Sequence, residues 1–162
     1  MGKIMVSRRN TAAVAAPAGI LIWLAANLRI GETTVLTGIC DFMDPFGKFL
    51  GMDGVILTAF ILGFPANETV LPITIMGYLA QGTLNEVSTS AMAQIFTDNG
   101  WTLKTAVCVM LFTINHWPCS TTLLSVKKET KSLKWTAAAF LIPTVMGIVV
   151  CALTNAIWNW FL

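Results

Sequence analysis

Residues 135–162 form the longest stretch of this sequence without a charged side chain, and it decides which folds are open to the chain. Its length exceeds the ~20 apolar residues that an α-helix needs to cross the hydrocarbon core of a bilayer. Only 11% of the whole chain is charged, against about 25% in an average soluble protein. The sequence therefore predicts an all-α integral membrane protein. The lipid bilayer is then one of its partners.

Further apolar segments recur along the chain, so that about three to four membrane segments are predicted. Together they are predicted to form a single membrane domain over residues 1–162. The segments are predicted at 11–30, 54–78, 101–126 and 135–162. Tryptophans stand at the ends of the last two, as in the aromatic belts of membrane proteins. The apolar N-terminal run has no clean signal-cleavage site, so we expect it to stay in the protein as a spanning helix.

Two short helices are predicted outside the apolar segments. In residues 34–54, large apolar side chains recur at helical spacing with charged side chains between them, which favours a helix lying at the membrane interface and interrupted near Pro45. A packed loop is the alternative. A second amphipathic helix is predicted around 88–96, ending near Asn99 and Gly100.

Two of the membrane segments are interrupted by proline, one at "GFPAN" (63–67) and one at "INHWPCSTT" (114–122). Each half of the segment 54–78 has about ten residues, or ~15 Å of helix, so neither half can span alone. The segment is either a broken helix that crosses or a re-entrant hairpin. The hairpin is favoured because it places the basic N-terminus and the basic loop 127–134 on the same side.

Irregular backbone at membrane depth is tolerated only where it is buried in protein or lines a wet cavity, and transporters build solute sites from paired broken helices. We therefore expect the two breaks to meet within the bilayer and to offer freed carbonyls and half-helix ends to a solute. Asn67 and Glu68 lie at the first break. An ionisable group at this depth is a functional hypothesis by default, although Glu68 could instead cap a helix and bind nothing.

The second break offers His116 and Cys119, followed by three hydroxyl side chains at 120–122. A thiolate with an imidazole or a carboxylate suits a borderline-soft transition metal better than magnesium or calcium. The alternatives are that Cys119 is a small buried hydrophobe, that His116 is a packing group or a gate, and that the hydroxyls bond to carbonyls freed by Pro118. The other three cysteines, which lack CxxC spacing, are predicted to be structural.

The sequence contains no motif that indicates an enzymatic activity, and no feature that indicates a nucleic-acid partner. No GxxxxGK[ST] phosphate-binding loop occurs, and a single histidine excludes an HExxH zinc motif. No basic stripe marks a surface for a phosphate backbone.

The segments "GMDGVILTAFILGFPANETVLPITIMGYL" and "GWTLKTAVCVMLFTINHWPCSTTLLSVKKETKSLKWT" strongly resemble the C-terminal membrane region, the Gate domain, of bacterial ferrous-iron transporter B, the FeoB family. "VAAPAGILIWLAAN" and "DPFGKFLGMDG" look like the same region. The resemblance implies iron(II) uptake by a multi-pass protein of the bacterial inner membrane. It also implies that Cys119 matches the family's gate cysteine and Glu68 its "PANE" carboxylate, with Asn67 and His116 as further candidate metal ligands.

The family's GTP-binding domain and its first Gate half have no counterpart here, so we expect no GTPase activity and an incomplete pathway. The missing portions or further copies of the chain would be its protein partners. Iron(II) is expected as the transported ion, with no permanently bound cofactor. A nucleoside or other small-solute transporter and a non-transporting membrane fragment are the alternative functions.

Overall fold

The computed structural model describes residues 19–30, 33–79 and 88–161. These residues are mostly helical, which confirms the all-α prediction. Residues 19–27 are helical and form α1; the rest of the predicted first segment, including Pro17, lies largely outside the described residues. A two-residue strand, β1 (Arg29–Ile30), pairs antiparallel with β2 (Thr33–Thr34).

Seven further α-helices follow in the described part of the chain. They are α2 (Val35–Phe49), α3 (Gly54–Leu62), α4 (Val70–Leu79), α5 (Thr89–Asp98), α6 (Leu103–Asn115), α7 (Ser120–Thr130) and α8 (Leu133–Phe161), with a 3₁₀ turn at Asn67–Thr69 before α4. Local chemistry sets four of the helix starts, because Thr34, Asp53, Ser88 and Thr102 each accept a hydrogen bond from the backbone N–H three residues on. The amphipathic helix predicted around 88–96 is confirmed as α5.

Two long apolar stretches are able to cross a bilayer. Helices α6 and α7 together form one candidate span, Leu103–Thr130, and α8 supplies another, Leu133–Trp160. Helices α2 and α3 meet at 107° and would add a third span if counted as one broken helix. These two to three spans among the described residues confirm a helical membrane protein.

The helix predicted in residues 34–54 is present, but it is not interrupted near Pro45 as expected. Helix α2 runs through Pro45 and ends at Phe49, and the chain turns at Gly51, whose φ is +77°. Pro45 removes the donor for the carbonyl of Asp41, yet Asp41 is exposed, so that carbonyl can be solvated. The break therefore falls at the glycine rather than at the proline.

Helices α3 and α4 form an antiparallel hairpin. At its tip, Gly63 lies against Val70, and at its base, Gly77 lies against Val55. The Tyr78 hydroxyl also donates to the Asp53 carboxylate at the base. The hairpin forms much of the core, with Ala59, Phe60 and Ile73 at most 2% exposed. The chain thus returns to the end at which it entered, as the hairpin interpretation requires.

The expected basic loop 127–134 is mostly helical. Helix α7 continues past Lys127 and Lys128 to Thr130, and α8 begins at Leu133. Lys131 makes the turn between them in the left-handed region, with φ +51°. The lysines therefore mark a tight turn between two helices at one end of the molecule.

Candidate functional site

The two helix breaks are in direct contact. The Ser120 backbone N–H, at the first residue of α7, donates to the Phe64 carbonyl at 3.0 Å. The Ser120 hydroxyl donates to the Pro65 carbonyl at 3.4 Å. These two bonds confirm that the two breaks meet, whereas a meeting point within the bilayer stays a prediction.

The carbonyls of the first break were expected to be unbonded and available to a solute. This expectation is wrong, because they accept hydrogen bonds within the protein. Short-range turns already use them: Phe64 N donates to the Ile61 carbonyl at 3.2 Å, and Ala66 N donates to the Gly63 carbonyl at 3.0 Å. The Ala66 carbonyl accepts from both the backbone N–H and the hydroxyl of Thr69, at 3.0 Å and 2.7 Å. Because the backbone is satisfied within the protein, side chains are the better candidate ligands at this break.

Asn67 and Glu68 lie in the 3₁₀ turn at the entrance to α4, and both are exposed. The described residues give the Glu68 carboxylate neither an ion pair nor a hydrogen bond. Its place at the start of a helix favours the negative charge. Glu68 is therefore able to receive a cation from outside the hairpin.

Cys119 is the N-cap residue of α7 and is half-buried. Its Sγ lies 3.1 Å from Thr121 Oγ1 and 3.1 Å from Thr122 Oγ1. Either atom of each pair can donate when the sulfur is a thiol. A thiolate can only accept, so both hydroxyls would then donate to it, and the start of the helix also favours a thiolate ligand. The alternative in which the hydroxyls bond to carbonyls freed by Pro118 does not hold for Thr121 and Thr122, whose hydroxyls face the cysteine.

His116 is 9% exposed and ends α6. Its Nδ1 lies 2.9 Å from the Thr113 carbonyl, which can only accept, so Nδ1 carries a proton. Its Nε2 is buried without a hydrogen-bond partner among the described residues. A histidine whose Nδ1 is held by a carbonyl while Nε2 is unpaired has the orientation seen in metal-binding histidines.

Aromatic rings surround His116 in the core. The ring centroids of Phe60, Phe112 and Trp117 lie 5.2, 5.9 and 5.9 Å from that of the imidazole. The Trp117 indole Nε1 is also buried without a hydrogen-bond partner in the described structure. The sequence signalled Trp117 only by its position beside the break, away from the aromatic belts.

The candidate ligands do not form one cluster. In the part of the chain that the structure describes, no three His, Cys, Asp or Glu side chains are close enough together to hold a metal ion. His116 is enclosed, whereas Asn67 and Glu68 are exposed. A cation at this site would therefore be held by one or two of these side chains together with water or partner groups.

The other three cysteines, Cys40, Cys108 and Cys151, are buried and free. The Cys151 thiol donates to the Cys108 carbonyl at 3.4 Å across the contact between α6 and α8. These positions agree with a structural role for the three residues.

Comparison with known proteins places the chain close to one group of sequences. Residues 10–133 match the family model "Gate", described as nucleoside recognition. The Fe(2+) transporter FeoB of Staphylococcus aureus strain MSSA476 is 31% identical over 144 residues, covering 80% of this chain and 19% of the relative. FeoB of Leptospira interrogans serovar copenhageni is 26% identical over 167 residues, covering 88% of this chain and 23% of the relative. No solved structure matches the chain significantly. The chain therefore spans less than a quarter of the length of these relatives.

Proposed function

The chain belongs to the Gate family, and on that premise we propose that it is the membrane portion of a ferrous-iron permease in which iron(II) passes the two helix breaks. The relatives with this region are described as Fe(2+) transporters. The matched family is described as nucleoside recognition, a description that names no catalytic activity.

The contact between Ser120 and the first break is the observation that carries this proposal. It brings the start of α7, with Cys119 as its N-cap, against the turn that leads to Glu68. A thiolate and a carboxylate are a ligand pair that suits borderline-soft iron(II) better than magnesium or calcium. Asn67 and His116 are further proposed ligands, His116 because its Nε2 lone pair is unpaired.

The proposed permease needs more protein than this chain. Other portions of a longer transporter, among them a GTP-binding domain, or further copies of the chain would complete the pathway. We place the complex in the bacterial inner membrane, with iron(II) as its cargo and no resident cofactor.

Anaerobic titration of the purified chain with iron(II) tests the proposed site. We expect Cys119→Ser and Glu68→Gln to bind iron(II) more weakly than the parent chain. Matched controls are Cys40→Ser, at a buried cysteine of α2, and Glu129→Gln, at an exposed carboxylate near the far end of α7. Equal binding by the parent chain, Cys119→Ser and Glu68→Gln would remove both residues from the ligand set.

A nucleoside or another aromatic solute is the second candidate. The unpaired His116 Nε2 and Trp117 Nε1, next to the rings of Phe60 and Phe112, are able to hydrogen-bond to and stack on such a solute. This function predicts nucleoside binding that Trp117→Phe weakens and Cys119→Ser leaves unchanged. Isothermal titration with a panel of nucleosides separates the two functions.

A further inference from the structure

We propose that Ser120 is the positioning residue that holds Cys119 against the first break. This inference rests on the proposed iron site, since it concerns the geometry of one of the proposed ligands. Ser120 need not touch the ion. It would act by fixing where the N-terminus of α7, and therefore the sulfur beside it, lies relative to the turn at residues 63–67.

The backbone N–H of Ser120 is available for this role because of its place in the helix. The first N–H groups of an α-helix have no acceptor within the helix. In α7 this group finds the Phe64 carbonyl at 3.0 Å, and the hydroxyl of the same residue reaches Pro65, 55 positions earlier in the sequence. Within the described residues, both hydrogen bonds that join the two breaks come from Ser120.

The position of Cys119 follows from this anchor. Cys119 precedes Ser120 directly and has an extended backbone, with φ −60° and ψ 157°. The Cys119 Sγ is oriented by its contacts with the hydroxyls of Thr121 and Thr122, which belong to the same first turn of α7 as Ser120. If the anchor is lost, the whole first turn is free to move away from the hairpin tip, and the sulfur moves with it.

Proline at position 120 removes the anchor with little harm to α7. Proline is favoured at the first position of a helix, where its missing N–H has no helical acceptor. It also requires an extended residue before it, and Cys119 is already extended. Ser120→Pro therefore removes the bonds to Phe64 and Pro65, Ser120→Ala removes only the hydroxyl bond, and Ser120→Thr keeps both donors.

Thr89→Pro is the matched control. Thr89 is the first residue of α5, and the preceding Ser88 is extended, with φ −62° and ψ 151°. This substitution places proline in the same helical position, on a helix whose Phe96 packs against Tyr78 at the base of the hairpin, the opposite end from the first break. It should leave metal binding unchanged.

Cobalt(II) serves as a spectroscopic probe of the thiolate, because its charge-transfer absorption reports a sulfur–metal bond. We expect Ser120→Thr to bind cobalt(II) and iron(II) as the parent chain does, and Ser120→Ala to bind both slightly more weakly. Ser120→Pro should weaken the binding of both ions by about tenfold, the equivalent of one or two lost hydrogen bonds.

The cysteine background supplies the control. In a Cys119→Ser background, Ser120→Pro should have no further effect on metal binding, since it acts through the cysteine. Full binding by Ser120→Pro, or an equal loss in the Cys119→Ser background, would overturn the inference.

A second measurement separates this inference from the proposed function. In an Ala66→Cys variant, a short bifunctional thiol reagent should join the introduced thiol to Cys119 readily, and adding Ser120→Pro should slow that cross-link. If the parent chain binds no metal, the iron function fails, but the cross-link still decides whether Ser120 sets the distance. If the cross-link forms equally fast with proline at 120, the positioning role is wrong whatever the metal does.

Discussion

The Tyr78 hydroxyl donates to the Asp53 carboxylate and so ties the last turn of α4 to the N-cap of α3. The other Asp53 oxygen accepts from Ile56 N at 2.8 Å, and the Tyr78 hydroxyl itself accepts from Trp101 Nε1 at 2.7 Å. One chain of hydrogen bonds thus joins the base of the hairpin to the start of α6. The hairpin is held at its base by this chain and at its tip by Ser120.

The first prediction removes the tyrosine hydroxyl. Tyr78→Phe leaves the aromatic ring in place but deprives Asp53 of a donor and Trp101 of an acceptor. We expect the free energy of unfolding in detergent to fall by about 1–3 kcal/mol, the cost of leaving partly buried polar groups unpaired. Asp53→Ala and the double variant complete a cycle, and additive effects of the two substitutions would contradict a direct bond.

The second prediction concerns the sharp crossing of α2 and α3, which depends on two glycines. A Cβ at Gly47 would overlap the Asp53 carbonyl, and a Cβ at Gly54 would overlap the Cys40 carbonyl. We expect Gly54→Ala to lower the thermal midpoint, with a cost of about 1–3 kcal/mol or more because backbone atoms must shift. Gly38→Ala is the control on α2, where nothing lies within 4 Å of the added methyl group. Equal stability of the Gly54 and Gly38 variants would show that the crossing is looser than described.

The local signals in the sequence were sufficient to predict much of this fold. The piece predicted at 54–62 is α3, because Asp53 caps it and the glycine and proline of "GFPAN" end it. The second break lies where Pro118 predicts it, between Asn115 and Ser120. These features depend on side chains within a few residues of the element they define.

The pairing across the breaks could not be predicted in the same way. The Phe64 carbonyl is one of several that a proline-broken segment could expose, and no local feature indicates that Ser120 will bind it. The expectation at Pro45 was wrong for a related reason: the cost of a missing donor depends on whether the freed carbonyl is exposed, which is a property of the tertiary fold. Whether Glu68, Asn67, Cys119 and His116 bind iron stays a prediction.

The third prediction tests how α8 holds the end of α2. The Asn155 side-chain amide donates to the carbonyls of Lys48 and Phe49, both at 3.0 Å, and so caps α2 from a distant helix. Asn155→Ala should cost about 1–2 kcal/mol of stability, because two helix-end carbonyls lose a donor. Asn159→Ala, one turn further along α8, removes an exposed contact with Lys104 at 3.2 Å and a long contact with Asn155 Oδ1 at 3.5 Å, but no bond to a helix-end carbonyl, and should cost less. A larger loss for the Asn159 variant would contradict this assignment.

The fourth prediction fixes the orientation of the spans. The lysine turn between α7 and α8 and the turn between α5 and α6 lie at opposite ends of the candidate span Leu103–Thr130. Because basic residues near span ends favour the cytoplasm, we expect Thr130→Cys to react with an impermeant thiol reagent only after cells are opened. Asn99→Cys should react in intact cells. The parent chain, with its half-buried Cys119 as the most accessible native thiol among the described residues, gives the background labelling. Reaction of Thr130→Cys in intact cells would reverse the orientation and, with it, the side from which Glu68 receives a cation.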